Sequence, residues 1–446
     1  MRLMRRFWTY IDFTAFPRRR KIHFLINIFV GIGIAVVCHF LEHTDWGEAT
    51  INKAFDFVVA REAGNAAQSM EQLGEQRHNR ISDRIEIDFV EIDHETYKKW
   101  GKPLVTRRDE LARAIETVYK GGAKVVVVDI LFEDKDCCHP EYDRQMRKVL
   151  ENMTDEKAAT NVIFPVRLGS DGDIREHLFG DLIDKNPNFH RAVANFSASP
   201  TDKVVRYWVP YEIVKSDGKN EVLWHMSFLA AILAHGKSGE LKEVEDQVAR
   251  QQVQQAHHFE LENAKEIELS ADRDDLYRNR IRFLLIPPNT LKGHPGGNLF
   301  QEVHRLDEVQ YGVFRNKIVV IGNSSPDAGD MHGTPAGNMA GMYIVGNAIN
   351  TIIHGIQPYH LGEGWSFLLE AAEIVFAAYL FLYLRTFMAA ILGVGAVLLI
   401  FGSLSYYCFL RSGVFLNFIF PVVGMGLHRT IANIEEIMEK GGIRKE

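Results

Sequence analysis

The stretch VVVVDILFED, residues 125–134, decides the fold. Four consecutive valines read as a parallel strand buried on both faces, because a half-exposed antiparallel strand alternates apolar with polar residues. The run ends on Asp129, so a carboxylate stands where the strand leaves the core. In open α/β sheets the carboxyl ends of strands line the crevice that receives ligands, which makes Asp129 a candidate site residue.

Outward from that strand the chain alternates. IEIDFVEID (85–93) reads as a strand delivering Asp93, and RRDELARAIETVYKGGAK (107–124) as an amphipathic helix closed by Gly121 and Gly122. With the valine run they form a βαβ unit with a right-handed crossover, so both aspartates come to the same end of a mostly parallel sheet. Further helices are expected at 141–151, 223–235 and 339–355, and further strands at 161–166, 203–209, 281–286 and 317–322. The last of these strands, KIVVIG, runs into the polar loop NSSPDAGDMHGTPAGN, which carries Asp330 and Thr334. Residues 237–280 are charged, rich in Gln and weakly periodic, and read as an insertion, part helix and part solvated loop.

The ends of the chain are different in kind. IHFLINIFVGIGIAVVCHFL (22–41) has no charged residue and is long enough for the roughly 30 Å hydrocarbon core of a bilayer. No small-residue cleavage site follows it, so it reads as an uncleaved anchor. The basic residues in 1–21, among them Arg18, Arg19, Arg20 and Lys21, place the N-terminus in the cytoplasm by the positive-inside rule. WSFLLEAAEIVFAAYLFLYL (365–384), FMAAILGVGAVLLIFGSLSYYCFL (387–410) and the segment 414–430, which carries Pro421, read as three more spans, followed by a cytoplasmic tail at 431–446. About four transmembrane helices, one N-terminal and three C-terminal, then hold a single large α/β domain (85–362) outside, in a bacterium the periplasm. Residues 42–84 lack proline and read as a helical stalk running on from the first span.

Bulk properties exclude other classes. A net charge of −7 on 446 residues offers no basic field for nucleic acid. Of the 4 cysteines, Cys38 and Cys408 lie in apolar runs, and Cys137 and Cys138 are adjacent. An adjacent pair closes only a strained ring, so a free thiol pair and a link between chains stand beside an internal bond.

Three acids, Asp93, Asp129 and Asp330, follow buried strands. Carboxylates at one sheet edge could hold a divalent cation through oxygen ligands or receive a ligand's amines, while the plain alternative is that they cap helices and order loops. A divalent cation is the one cofactor this pattern suggests. His94 and His332 adjoin the acids without zinc-type spacing, and IGNSSPDAG lacks the nucleophile pattern Gly-x-Ser-x-Gly. Glu370 and Glu373, three apart on one face of an expected span, are candidates for membrane coupling, since intramembrane carboxylates are costly to keep without a role.

Together these pieces resemble the type 2 CHASE domain, a bacterial extracytoplasmic sensory domain. VEIDHETYKKWGKPLVTRRDELARAI is similar to its first strand, turn and helix, and GAKVVVVDILFED to its Gly-Ala and strand-Asp-x-x-Phe core. PTDKVVRYWVPYEI resembles its Val-Arg segment with Arg206 as the arginine, and FRNKIVVIGNSSPDAGDMHGTPAGNMAGMYIVGNAINTIIHG its last strand, Thr-Pro loop and helix. The resemblance implies a dimeric sensor without established catalytic residues. Asp93, Arg107, Asp129, Arg206, Asp330 and Thr334 are then the ligand-binding candidates. No cyclase or kinase segment follows the last span, so output is expected from envelope or membrane partner proteins. The favoured function is a membrane-anchored, non-enzymatic sensory or scaffold protein forming a homo-oligomer in the bacterial inner membrane. The alternative is a metal-dependent envelope hydrolase using Asp93, Asp129 and Asp330, and an ion-conducting role for Glu370 and Glu373 is the third reading.

Overall fold

The computed structural model describes residues 18–72, 85–153, 160–169, 173–216, 219–249, 257–259, 267–269, 279–285, 303–354, 359–360, 365, 368–369, 372 and most of 393–434. The chain divides into two compact units: Met1–Val58 with Tyr359–Glu446, and Val59–Pro358.

The first unit begins with helix α1 (Arg18–Glu42) and continues into α2 (Asp45–Gln72). The two are not one rod. The helix breaks at residues 43–44, and Ile28–Glu42 and Asp45–Gly64 meet at 88°, with Thr44 Oγ1 accepting from Gly47 N at 3.1 Å. The helical segment that runs on from the first span is bent by a capping threonine and a glycine at a close approach, where a Cβ on Gly47 would sit 1.9 Å from the Leu41 carbonyl oxygen. Ile34, Cys38 and Phe420 form a small core, and Phe55 packs on Phe409 and Phe415. Elsewhere α1 turns Phe29 and Phe40 outward, 72% and 70% exposed. Only one helix among the described residues, Gly393–Ser412, is by itself long and apolar enough to cross a membrane; α1 and α2 pass that test only as a bent pair. Most of 365–384 and part of 414–430, with Glu370 and Glu373, lie outside the described residues.

The second unit is a three-layer α/β domain. Its strands are β1 (Ile87–Ile92), β2 (Val125–Asp129), β3 (Asn161–Val166), β4 (Phe189–Val193), β9 (Val303–Arg305) and β10 (Ile318–Asn323), in the order β4-β3-β2-β10-β1-β9 and parallel throughout. The valine run is buried on both faces, as its composition demands. Helices α4 (Arg108–Lys120) and α5 (Pro140–Asn152) cover one face, where Leu111, Ile115, Met146 and Leu150 meet Val126, Val128, Val319 and Ile321. A short helix, α3 (His94–Lys99), follows β1, and α6 (Gly180–Ile183) precedes β4. Of the two glycines after α4, Gly121 stays right-handed at the cap, and Gly122 makes the left-handed turn at φ +82°.

Helices α7 (Met226–Ala234) and α9 (Gly341–His354) lie together, with Ser227 Oγ donating to the Val345 carbonyl at 3.3 Å. Both are buried almost all round, and α9 lies on the sheet's second face, where the Phe89 ring lies tilted against Tyr343. The expected helix at 223–235 is shorter at its start, because Leu223 and Trp224 belong to a hairpin of β5 (Tyr211–Ser216) and β6 (Lys219–Trp224), and His225 caps α7. Within the expected insertion lie α8 (Ser238–Ala249) and a strand pair, β7 (His257–Phe259) with β8 (Ile267–Leu269).

Two expected strands are corrected. Residues 203–209 and 281–285 are not strands, although Ile281, Phe283 and Leu285 are buried in strict alternation. Their backbones find other partners. Arg282 N donates to Thr351 Oγ1 at 2.8 Å, while Leu285 N and O are both taken by the Asn347 amide at 2.7 Å. The segment is therefore clamped to α9 by side chains rather than added to a sheet. Residues 203–209 pair with other backbone through a turn bond from Lys203 N to the Ser199 carbonyl and through isolated bridges, such as Val204 with Gly333 and Tyr207 with Arg280. The polar loop after β10 also holds an unexpected hairpin, β11 (Met331–Thr334) with β12 (Gly337–Ala340), immediately before α9.

Candidate functional site at the carboxyl edge of the sheet

Strand β10, the last of the six in sequence, is inserted between β1 and β2, so the strand order reverses there. Open α/β sheets bind ligands outside the carboxyl ends at such a point. Register aligns Glu91 with Gly322 and Gly322 with Asp129. Aligned residues of neighbouring parallel strands share a face, so two acids flank a glycine in one row. A Cβ on Gly322 would fall 2.6 Å from Met342 Cβ; the bare glycine lets the start of α9 rest on the row.

Glu91 is fully engaged. Its Oε2 accepts from Tyr343 Oη at 2.8 Å and Ser324 Oγ at 2.6 Å. Burial beside Glu91 pushes the Tyr343 phenol well above its ordinary range, so it stays protonated and donates. Asp129 is different. Among the described residues its carboxylate makes no hydrogen bond, and burial together with the charge of Asp330 pushes its pKa up to about 7, against a smaller opposing effect of His332. Asp330 Oδ1 lies 2.9 Å from His332 Nε2, and that bond, aided by Asp330 and Asp129 charge, raises the imidazole pKa. Asp330 is seated by its backbone, whose carbonyl accepts from Gly341 N at 3.1 Å, and its carboxylate occupies the space that a side chain at Gly341 would need. Asp129 and His332 thus face the Asp330 carboxylate at the sheet edge, where Asp129 can hold a proton near neutrality or exchange it for a cationic group.

The other sequence candidates have different work. Asp93 caps α3, accepting from Thr96 N at 2.7 Å, and faces Arg305 Nε at 3.6 Å. Arg107 turns back on Asp109, with Tyr142 and Trp100 beside its guanidinium. Arg206 is buried and forks onto Asp202 at 2.9 and 2.6 Å, which holds the Asp202 pKa down at about 2. Val205 N donates to the Gly333 carbonyl, so this segment braces the hairpin that carries Asp330 and His332. Thr334 Oγ1 closes that hairpin by donating to the Gly337 carbonyl at 2.6 Å. The structure therefore brings Asp129 and Asp330 together, sets Arg206 and Thr334 as supports of the same hairpin, and leaves Asp93 and Arg107 in separate clusters. Among the described residues no three His, Cys, Asp or Glu side chains stand close enough to hold a metal ion. Glu91, Ser324 and Tyr343 were not singled out in the sequence. A charge inside the apolar run of β1 was the available signal.

A family model described as CHASE2 domain matches residues 32–383. The chain belongs to the CHASE2 family. Comparison with curated proteins and with solved structures gave no match. CHASE2 is a family of sensory, extracytoplasmic domains, and the six-stranded domain lies within the matched residues.

The CHASE2 edge has a pH signature. A carboxylate whose folded pKa is raised binds its proton more tightly folded than unfolded. Stability is then full below the ordinary carboxylate range and declines as pH rises toward about 7. The raised pKa of His332 acts with the same sign. Urea unfolding of the wild type should give a midpoint that falls between pH 5 and pH 8, and Asp129→Asn should flatten much of that fall. An unchanged slope in the variant would remove Asp129 as its source.

Proposed function

We propose that this CHASE2 protein is a membrane-anchored, non-enzymatic sensor whose extracytoplasmic domain binds a cationic ligand at the Asp129–Asp330–His332 edge. The observation that carries the reading is the convergence of these three groups beside the strand reversal, with Asp129 left without a hydrogen-bond donor among the described residues. An ammonium ligand that displaces the Asp129 proton to solvent would replace a neutral carboxyl by an ion pair against the start of α9, and a ligand shifts a conformational equilibrium only through such a difference between states. The outward apolar side chains of α1 and the apolar helix Gly393–Ser412 support anchoring in a bilayer, and four crossings with both termini in the cytoplasm fit the charge pattern of the ends. A homo-oligomer assembled through its helical segments, relaying to partner membrane proteins, completes the reading. The hydrolase alternative is not favoured, because Asp93 is committed to its helix cap and Arg305.

Detergent-solubilised full chain should gain thermal stability from the polyamine spermidine, and Asp129→Asn with Asp330→Asn should abolish the gain. Stabilisation that persists in the double variant would sink the site. Anchoring is tested separately: with Cys137 and Cys138 replaced by Ser, a cysteine at Asn220 should react with an impermeant maleimide from the outer side of intact cells, and labelling from the cytosolic side alone would refute the topology.

A further inference from the structure

The bend after α1 limits what α2 can be, once α1 is placed across a bilayer as proposed above. A helix that crosses the membrane and then turns by 88° runs on along the membrane plane rather than away from it. Glu42, the last residue of α1, accepts through Oε1 from Asn417 Nδ2 at 2.6 Å. A carboxylate belongs at the edge of the hydrocarbon rather than within it, so the turn is made at the membrane–water boundary.

The first half of α2 has one open stripe. Trp46, Thr50, Lys53 and Phe57 follow one another at i, i+4, i+7 and i+11, a spacing that returns to within about 20° of its starting direction after roughly 16 Å. Trp46 and Phe57 are 56% and 69% exposed, and Lys53 between them is exposed as well. The opposite face is used inside the protein: Phe55 packs on Phe409 and Phe415, and Ala54 and Val58 are also buried. Trp46 sets the direction of the stripe. Its ring meets Phe420 edge-on at 6.2 Å, and Phe420 shares a core with Ile34 and Cys38. Cys38 stands one turn before Glu42, about 6 Å back along α1. Trp46 therefore points back toward the apolar length of α1, and Phe57, on the same side of α2, points with it.

Two aromatic rings with a lysine between them are what a helix lying in the headgroup zone requires. The rings enter the acyl boundary, and the lysine stem lets its ammonium reach the phosphates. We propose that the first turns of α2, residues 45–58, form an interfacial helix on the bilayer surface where α1 emerges. Trp46 and Phe57 insert among the phospholipid chains, and Lys53 lies at phosphate level. This inference rests on anchoring through α1, and it replaces the upright stalk expected from the sequence.

Nitroxide labels on the full chain, in vesicles of phosphatidylethanolamine and phosphatidylglycerol, test the placement. With the 4 native cysteines replaced by alanine, a single cysteine is introduced in turn as Phe29→Cys, Phe57→Cys and Glu48→Cys. Glu48 is exposed and about 200° round the helix from Trp46, so it serves as the far side of α2. Relaxation by oxygen, which concentrates in lipid, is compared with relaxation by a water-soluble nickel chelate. The label at 29 should be deep in the hydrocarbon, that at 57 about 5–10 Å inside the headgroup boundary, and that at 48 in water. If the label at 29 is deep while those at 48 and 57 report the same surroundings, the interfacial helix is overturned and anchoring stands. A label at 57 shielded from both reagents overturns it as well, because protein then covers the stripe; spin–spin broadening would identify that protein as a second copy of the chain. Ready access of nickel to the label at 29 refutes the anchoring itself, and the inference with it.

Discussion

Gly346→Ala should destabilise the sensory domain by about 1–3 kcal/mol, the usual cost of forcing a methyl group into a filled core. The substitution would ordinarily be favourable, because alanine in a helix interior is better than glycine by roughly 0.5–1 kcal/mol. Here the missing side chain is the contact. A Cβ at this position of α9 would stand 2.3 Å from Phe89 Cζ and 2.6 Å from Cε1. Phe89 is fully buried, its strand is paired by β9 and β10 on either side, and its ring lies against Tyr343 at 4.8 Å between centroids. Neither the ring nor its backbone has room to yield, so α9 must lift. Because Gly322 and Gly341 seat the same helix on the acid edge, lifting it also disturbs the Glu91–Tyr343 bond. Denaturant midpoints for Gly346→Ala, Phe89→Leu and the double variant decide the matter: the smaller side chain should recover part of the loss. A midpoint raised by Gly346→Ala alone would show that the helix tolerates the methyl group.

Arg282→Ala should cost more, about 3–5 kcal/mol, the range for removing one partner of a buried ion pair. Arg282 Nε reaches both oxygens of Glu62 at 3.0 Å, and the side chains are 11% and 6% exposed. The loss arises from the carboxylate left behind in a place water cannot serve, rather than from the attraction itself. Replacing both residues by apolar ones, Arg282→Met with Glu62→Leu, should therefore recover most of the stability. The segment around Arg282 is already held to α9 through Thr351 and Asn347, so this pair ties the C-terminal half of α2 to the same helix that begins at the acid edge. A single variant within about 0.5 kcal/mol of wild type, the range of exposed sites, would mean the pair is wet and weak.

Much of the sheet was legible because its central strands are buried on both faces. Burial of that kind leaves a local mark, an unbroken apolar run, and β2, β3 and β10 carry it. The outer strands do not. FHRAV and VHR are strands because they complete the sheet at its two edges, where one side of the backbone is already offered a partner. The segment 281–285 shows the converse, since its apolar alternation is that of a strand while, past a backbone bond from Ile281 to Arg206, its backbone hydrogen bonds to other segments go to the Asn347 and Thr351 side chains. Alternation reports which side chains are buried and says nothing of what the backbone binds.

The acids divide along the same line. That Asp129 would stand at the carboxyl end of a buried strand followed from VVVVD alone, because a strand cannot carry an unpaired charge into its core. Its companions could not be read from the chain. Asp330 and His332 arrive beside it only because β10 inserts next to β2 and a hairpin turns the following loop back over the edge. Asp93, two residues beyond the β1 position that aligns with Asp129, was drawn instead into a helix cap. Local pattern determined which residues are buried and where strands end, since those depend on neighbours in sequence. Which charges face one another was decided by strand order and loop path, which bring together residues that no local pattern connects.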